Sequence, residues 1–176
     1  MEHKGFTLWF TGLACSGKTV LADALAEDFK KRGMKVEQLD GDIVRKSLTS
    51  DLGFTQEDRN ENIKRVTFVA KLLTRNGVAV LASFISPYNE IRAYSKTEIG
   101  DYILVYVKCP LEVCEKRDVK GMYAKARSGE INNFTGIDHP FEEPNDADII
   151  VETDKQTIEE SKQIIVDALE MMGYLP

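Results

Sequence analysis

The stretch TGLACSGKTV, Thr11–Val20, lies between the apolar run FTLWF and the amphipathic run LADALAEDF. It fits G-x-x-x-x-G-K-[ST], and its setting is the one that pattern needs, a strand before it and a helix after it. Gly12 and Gly17 allow backbone turns that side chains would obstruct, so the N–H groups from Leu13 through Ala14, Cys15 and Ser16 can face phosphate oxygens. Lys18 adds a point charge for the β- and γ-phosphates of a nucleoside triphosphate. Thr19 offers a hydroxyl to Mg²⁺, and the helix that follows directs its positive end at the same anion. The stretch therefore predicts a strand–loop–helix unit.

Working outward, short aliphatic runs predict strands at Leu8–Thr11, Val36–Asp40, Val78–Ser83, Ile103–Lys108 and Ile149–Glu152, apolar on both faces as in a covered parallel sheet. Helices are predicted between them. The first runs from Lys18 to Arg32 and stops at Gly33. A second begins near Gln56, with Thr55 as N-cap and Asp58 in its first turn, and ends before Gly77. The last opens on a capping box, Thr157 with Glu160, and repeats Ser161, Ile164, Ile165, Ala168, Leu169 and Met172 at helical spacing up to Gly173. Strand–helix alternation of this kind predicts an α/β three-layer sandwich with a mainly parallel five-stranded sheet. The chain, 1–176, is expected to form one domain, and the polar stretch from Asp118 to Pro144 a mobile lid.

A net charge of −6 offers no basic face for nucleic acid, so any anionic ligand must be held by local cations. No stretch is long and apolar enough to span a membrane, and no signal-like h-region precedes Gly5. Three cysteines, Cys15, Cys109 and Cys114, form no C-x-x-C pair and fit reduced thiols in a cytoplasmic protein. Cys15 reads either as an oxidisable thiol beside a helix N-terminus or as a small side chain whose backbone matters more than its sulfur.

The remaining motifs concern a second substrate. Asp40-Gly41-Asp42 ends the second strand, where ligands bind in such sheets. One carboxylate can hold Mg²⁺ and the other can accept a proton from an attacking hydroxyl; the plain alternative is a turn with an Asp cap. Arg59 and Asn62 share a helix face, suited to a phosphate-like group and a hydroxyl, or else simply a solvated polar face. Phe54 reads as a core anchor or a base-stacking platform. Phe84-Ile85-Ser86-Pro87-Tyr88 puts a serine at the sheet's carboxyl edge. Arg117, Lys120, Lys125 and Arg127 suit a cover that neutralises phosphate charge on closing. Phe134 is an aromatic in a loop with little core to join.

Taken together, GLACSGKT, DGDIVR, GFTQEDRNENI, FISPY, CPLEVCEKRDVKGMYAKAR and NFTGIDHPFEEP strongly resemble the adenylyl-sulfate kinase family over nearly the whole chain from Gly5 onwards. The resemblance implies ATP-dependent phosphorylation of the 3′-hydroxyl of adenosine 5′-phosphosulfate (APS). It implies ATP on Lys18 and the Gly12–Thr19 loop, Mg²⁺ at Thr19 and Asp40, and Asp42 as base. It further implies Arg45, Arg59 and Asn62 on the acceptor's phosphosulfate and ribose, with Phe54 and Phe134 sandwiching its adenine. Ile85 and Ser86 would add backbone contacts, Lys120 would stabilise the transferring charge, and Arg117 would stack on the ATP base. A homodimer and coupling to ATP sulfurylase are what such a family member would show.

Ser86 is the serine at which the family is often described as phosphorylated. No histidine or lysine in its motif activates it, which favours direct in-line transfer with Ser86 as a substrate contact. The sequence departs from the family pattern at Asn89, where an arginine often follows Ser-Pro-Tyr, and at Met122, usually leucine. Two rival readings are a kinase for a nucleoside or sugar, and a nucleotide-sensing module without turnover. A neutral sugar would not call for Arg45 and Arg59 together. A module without turnover would be expected to have lost Lys18, Thr19, Asp40 or Asp42, all of which are present.

Overall fold

The computed structural model describes residues 3–176. Five parallel strands, β1 (Phe6–Thr11), β2 (Lys35–Asp40), β3 (Val78–Ser83), β4 (Tyr102–Lys108) and β5 (Ile149–Glu152), line up in the order β2-β3-β1-β4-β5. The chain leaves β1 toward β2 and later returns to β4 on the other side, so β1 is the switch point. Ligands of open α/β sheets sit beyond the carboxyl end of such a strand.

Alternation along β1 builds both core layers, because successive side chains of a strand point to opposite faces. Phe6, Leu8 and Phe10 pack with Leu21, Leu25 and Phe29 of α1 (Lys18–Lys31) and with Ile165 and Leu169 of α7 (Ile158–Met171). Trp9 faces the other way, onto Phe84, Ile63 and Val66 of α3 (Gln56–Arg75) and Ile91 of α4 (Asn89–Ile99). The expected three-layer sandwich is what forms. The caps are as expected too: Thr55 accepts from Asp58 N, and Thr157 and Glu160 form a reciprocal capping box.

Two expectations are corrected. β2 is not apolar on both faces: it is an edge strand paired only with β3, and its sequence KVEQLD leaves alternate side chains exposed. The Asp118–Pro144 stretch is not bare loop either. It carries the short helix α6 (Met122–Arg127), and Tyr123 is buried with Cys109 and Cys114 against Leu13, Ala14, Cys15, Phe134 and Ile137. Two further short helices, α2 (Gly41–Val44) and α5 (Leu111–Arg117), flank the site.

Candidate active site

The phosphate loop bridges β1 and α1. A Cβ at Gly12 would lie 2.5 Å from Val107 O, and Gly17 has φ 103, so both positions require glycine. Gly17 gives α1 no side-chain cap, and no acidic residue occupies its first turn. The helix N-terminus is thus left to an anion. Lys18 Nζ donates to Gly12 O at 2.9 Å and Leu13 O at 2.7 Å, bent back across the loop. Burial lowers its pKa to about 8. Ser16 Oγ is buried without a partner, an orphan that a phosphate oxygen would satisfy.

The loop is braced from behind. Arg117 donates to Cys15 O at 3.2 Å and Thr153 O at 2.7 Å, Thr153 Oγ1 donates to Ser16 O at 2.6 Å, and Tyr123 OH donates to Ala14 O at 2.8 Å. Arg117 therefore lies against the loop's backbone. Cys15 takes a left-handed φ of 63, and its carbonyl is what its neighbours use.

At the end of β2, Thr19 Oγ1 donates to Asp40 Oδ2 at 2.8 Å, and Asp42 N donates to Asp40 Oδ1 at 2.9 Å. A hydroxyl and a carboxylate in contact beside a phosphate loop form a donor set that fits Mg²⁺, which binds through one or two protein oxygens together with phosphates and water. Asp42 is ion-paired to Lys120, which reaches it from the lid region and is pushed above its ordinary pKa by that carboxylate.

Arg45, Phe54 and Arg59, expected to hold the acceptor, come together. Phe54 is 57% exposed at the mouth. Arg45 stacks on its ring at 4.3 Å and donates to Gly53 O at 2.9 Å. Arg59 donates to Phe54 O at 2.9 Å and to Thr135 Oγ1 at 2.6 Å, and also bonds Asn133 O. It thereby joins the segments that carry Phe54 and Phe134. Burial pulls both guanidiniums below their ordinary pKa, and among the described residues neither is ion-paired to a carboxylate. Two such cations in an acidic protein are suited to an anionic ligand.

The solvated-face alternative does not hold for Asn62. Asn62 is 5% exposed, and its Oδ1 is buried without a partner. Phe134 has more core than expected, since its ring packs edge-on against Tyr123 at 4.9 Å. Ser86 is 2% exposed with φ 41. Its hydroxyl accepts from Trp9 Nε1 at 3.0 Å and donates to Phe84 O at 3.1 Å. Thr11 Oγ1 donates to Ile85 O at 2.7 Å. Sequence reasoning missed Trp9 and Thr11, which fix this turn, because both lie in a strand and read as core. An open cleft of about 730 Å³ runs along Leu13, Leu111 and Phe141, away from Asp42 and Lys120. A smaller one, about 270 Å³, lies beside Thr19, Asp40 and Asp42.

A phosphate loop, a magnesium-type hydroxyl and carboxylate, and two partly buried guanidiniums define a phosphate-loop kinase acting on a small anionic acceptor. The chain belongs to the adenylyl-sulfate kinase family: the family model for adenylylsulphate kinase matches residues 4–152. An adenylyl-sulfate kinase of Halothermothrix orenii is 56% identical over 99% of this chain and 94% of its own length. Another, from Picosynechococcus sp., is 54% identical over 99% of both chains. The APS kinase of Mycobacterium tuberculosis, solved in complex with AMPPNP and APS, superposes with a TM-score of 0.91 at 43% identity, covering 96% of this chain and 99% of that one. A shikimate kinase from Aquifex aeolicus, at 16% identity and a TM-score of 0.57, shares the fold alone.

Proposed function

We propose that this protein transfers the γ-phosphoryl group of ATP to the 3′-hydroxyl of APS, giving 3′-phosphoadenosine 5′-phosphosulfate and ADP. The observation that carries the reading is the pairing of Asp42 with Lys120 next to the Thr19–Asp40 contact of the phosphate loop, together with two guanidiniums, Arg45 and Arg59, that are ion-paired to no carboxylate among the described residues.

In this account Lys18 and the loop amides hold the β- and γ-phosphates of ATP, and Arg117 packs by its base. Mg²⁺ would be held by Thr19 and Asp40 and would supply charge neutralisation for the phosphates. Arg45, Arg59 and Asn62 take the phosphosulfate and ribose, Phe54 and Phe134 the adenine, and the Ile85–Ser86 backbone the pocket wall. Asp42 accepts the proton as O3′ bonds to the γ-phosphorus and the bond to ADP breaks. Lys120, released from Asp42, moves to the transferring group. The work is positioning and charge compensation, as phosphoryl transfer requires.

Direct transfer is favoured over a phosphoserine route because the Ser86 hydroxyl is buried, its donor is committed to Phe84 O, and among the described residues no base is hydrogen-bonded to it. The chain is proposed to be one cytoplasmic domain whose 118–144 segment moves as a lid. It is further proposed to act as a homodimer supplied by an ATP sulfurylase. The test is ADP release with ATP and Mg²⁺ as each acceptor is offered in turn. APS-dependent release supports the reading, and release that instead requires a sugar or a nucleoside contradicts it.

A further inference from the structure

Arg92 lies on α4, 2% exposed, and among the described residues it has no ion-pair partner. Burying a guanidinium without a counter-charge is costly unless its hydrogen bonds are well used. Its bonds all go to uncharged oxygens of two segments. Nη1 donates to Ser86 O at 2.5 Å, and Nη2 donates to Glu142 O at 2.5 Å and to Asn89 Oδ1. Phe141 lies under the guanidinium at 5.7 Å and stacks on Tyr106.

The two segments are also tied directly. Glu142 N donates to Pro87 O at 2.8 Å, and Asn89 N donates to Glu142 Oε1 at 2.9 Å. Asn89 thus stands as an acceptor toward Arg92, where an arginine would set a second cation beside the first. Ser86 holds a φ of 41, a conformation that a non-glycine residue keeps only when its surroundings over-determine it. A charge-assisted bond on its carbonyl, a bond from Trp9 and the proximity of Thr11 Oγ1, 3.4 Å from Ser86 O, are those surroundings.

We infer that Arg92 is a positioning residue for the acceptor: it fixes the Ile85–Ser86 turn and fastens that turn to the downstream end of the lid segment at Glu142. The inference rests on the reading of that turn as a wall of the APS pocket. It places the cost of losing Arg92 on acceptor binding, with the phosphate loop left intact.

The experiment is steady-state kinetics of Arg92→Met and Arg92→Lys beside the unaltered enzyme, with KM measured separately for APS and ATP. Arg92→Met is expected to raise KM for APS about tenfold or more, the scale of a lost charge-assisted bond, and to leave KM for ATP within about twofold. Arg92→Lys should fall between, because an ammonium can reach one carbonyl but cannot fork across two. Equal changes in both KM values, or none, would overturn the inference, as would a loss that follows only the drop in melting temperature. If Arg92→Met does not fold, Asn89→Ala decides the matter: a rise confined to KM for APS supports the role and unchanged constants refute it. Failure of the functional reading is a separate result, seen as no APS-dependent turnover in the unaltered enzyme.

Discussion

Lys120, from the lid segment, is ion-paired to Asp42 at the end of β2, so the residue assigned to the transferring charge is held on the residue assigned as base. Both side chains are well exposed, so the pair itself adds little stability. Its consequence is kinetic. In the proposed mechanism substrate separates the two, leaving the carboxylate for the 3′-hydroxyl and the ammonium for the phosphoryl group.

Asp42→Asn is therefore expected to keep ATP binding and lose turnover by about 10²–10⁴-fold, the usual contribution of a positioned base. Nucleotide titration beside the steady-state rate checks this. A variant with a near-normal rate would show that the base lies elsewhere. Lys120→Ala should lower kcat by about 10²–10³-fold, as for loss of a donor to developing charge, with a smaller effect on ATP affinity.

Lys18 gives a pH signature. Its pKa in the free loop, about 8, is set chiefly by burial, which disfavours the charged form. Nucleotide phosphates favour that charged form, so the bound pKa is higher than the free one. Above pH 8 nucleotide binding should then take up a proton, and affinity should weaken as pH rises. Calorimetry at pH 8.5 in two buffers of different ionisation enthalpy reads the uptake directly. Identical heats in the two buffers would count against it.

Ser86→Ala is expected to retain most turnover, and the unaltered protein incubated with ATP should carry no phosphate on Ser86 by mass spectrometry. The hydroxyl's bonds to Trp9 and Phe84 O make its loss a packing change of modest size. Abolished activity together with a phosphorylated Ser86 would establish the covalent route.

The sheet and the phosphate loop were legible because they are local. Leu8–Phe10 and Ile103–Val107 are continuous apolar runs, and Thr157 with Glu160 announces a helix start within four residues. Val36–Asp40 forms a strand as expected, but its exposure was not legible, because a run of residues does not say whether its strand is central or at the edge. The lid's packing was hidden for a related reason. Tyr123 meets Phe134 and the Ala14 carbonyl through contacts distant in sequence, which no periodicity reports. Arg92 looks like a surface residue on an amphipathic helix; only the folded turn at Ser86 shows what it holds. The spacing of Arg59 and Asn62 put them on one helix face, but the burial of Asn62 and the contacts of Arg45 and Arg59 with Phe54 and Thr135 were set by the tertiary fold.

The most direct test of the central claim is the identity of the product. ATP, Mg²⁺ and APS are incubated with the protein, and the purified product is examined by phosphorus and proton magnetic resonance. The account predicts one new phosphomonoester coupled to the ribose H3′, with the 5′-phosphosulfate intact and ADP formed in equal amount. Phosphate at the 2′ position, cleavage of the phosphosulfate, or ADP formed without a phosphorylated nucleotide would contradict it.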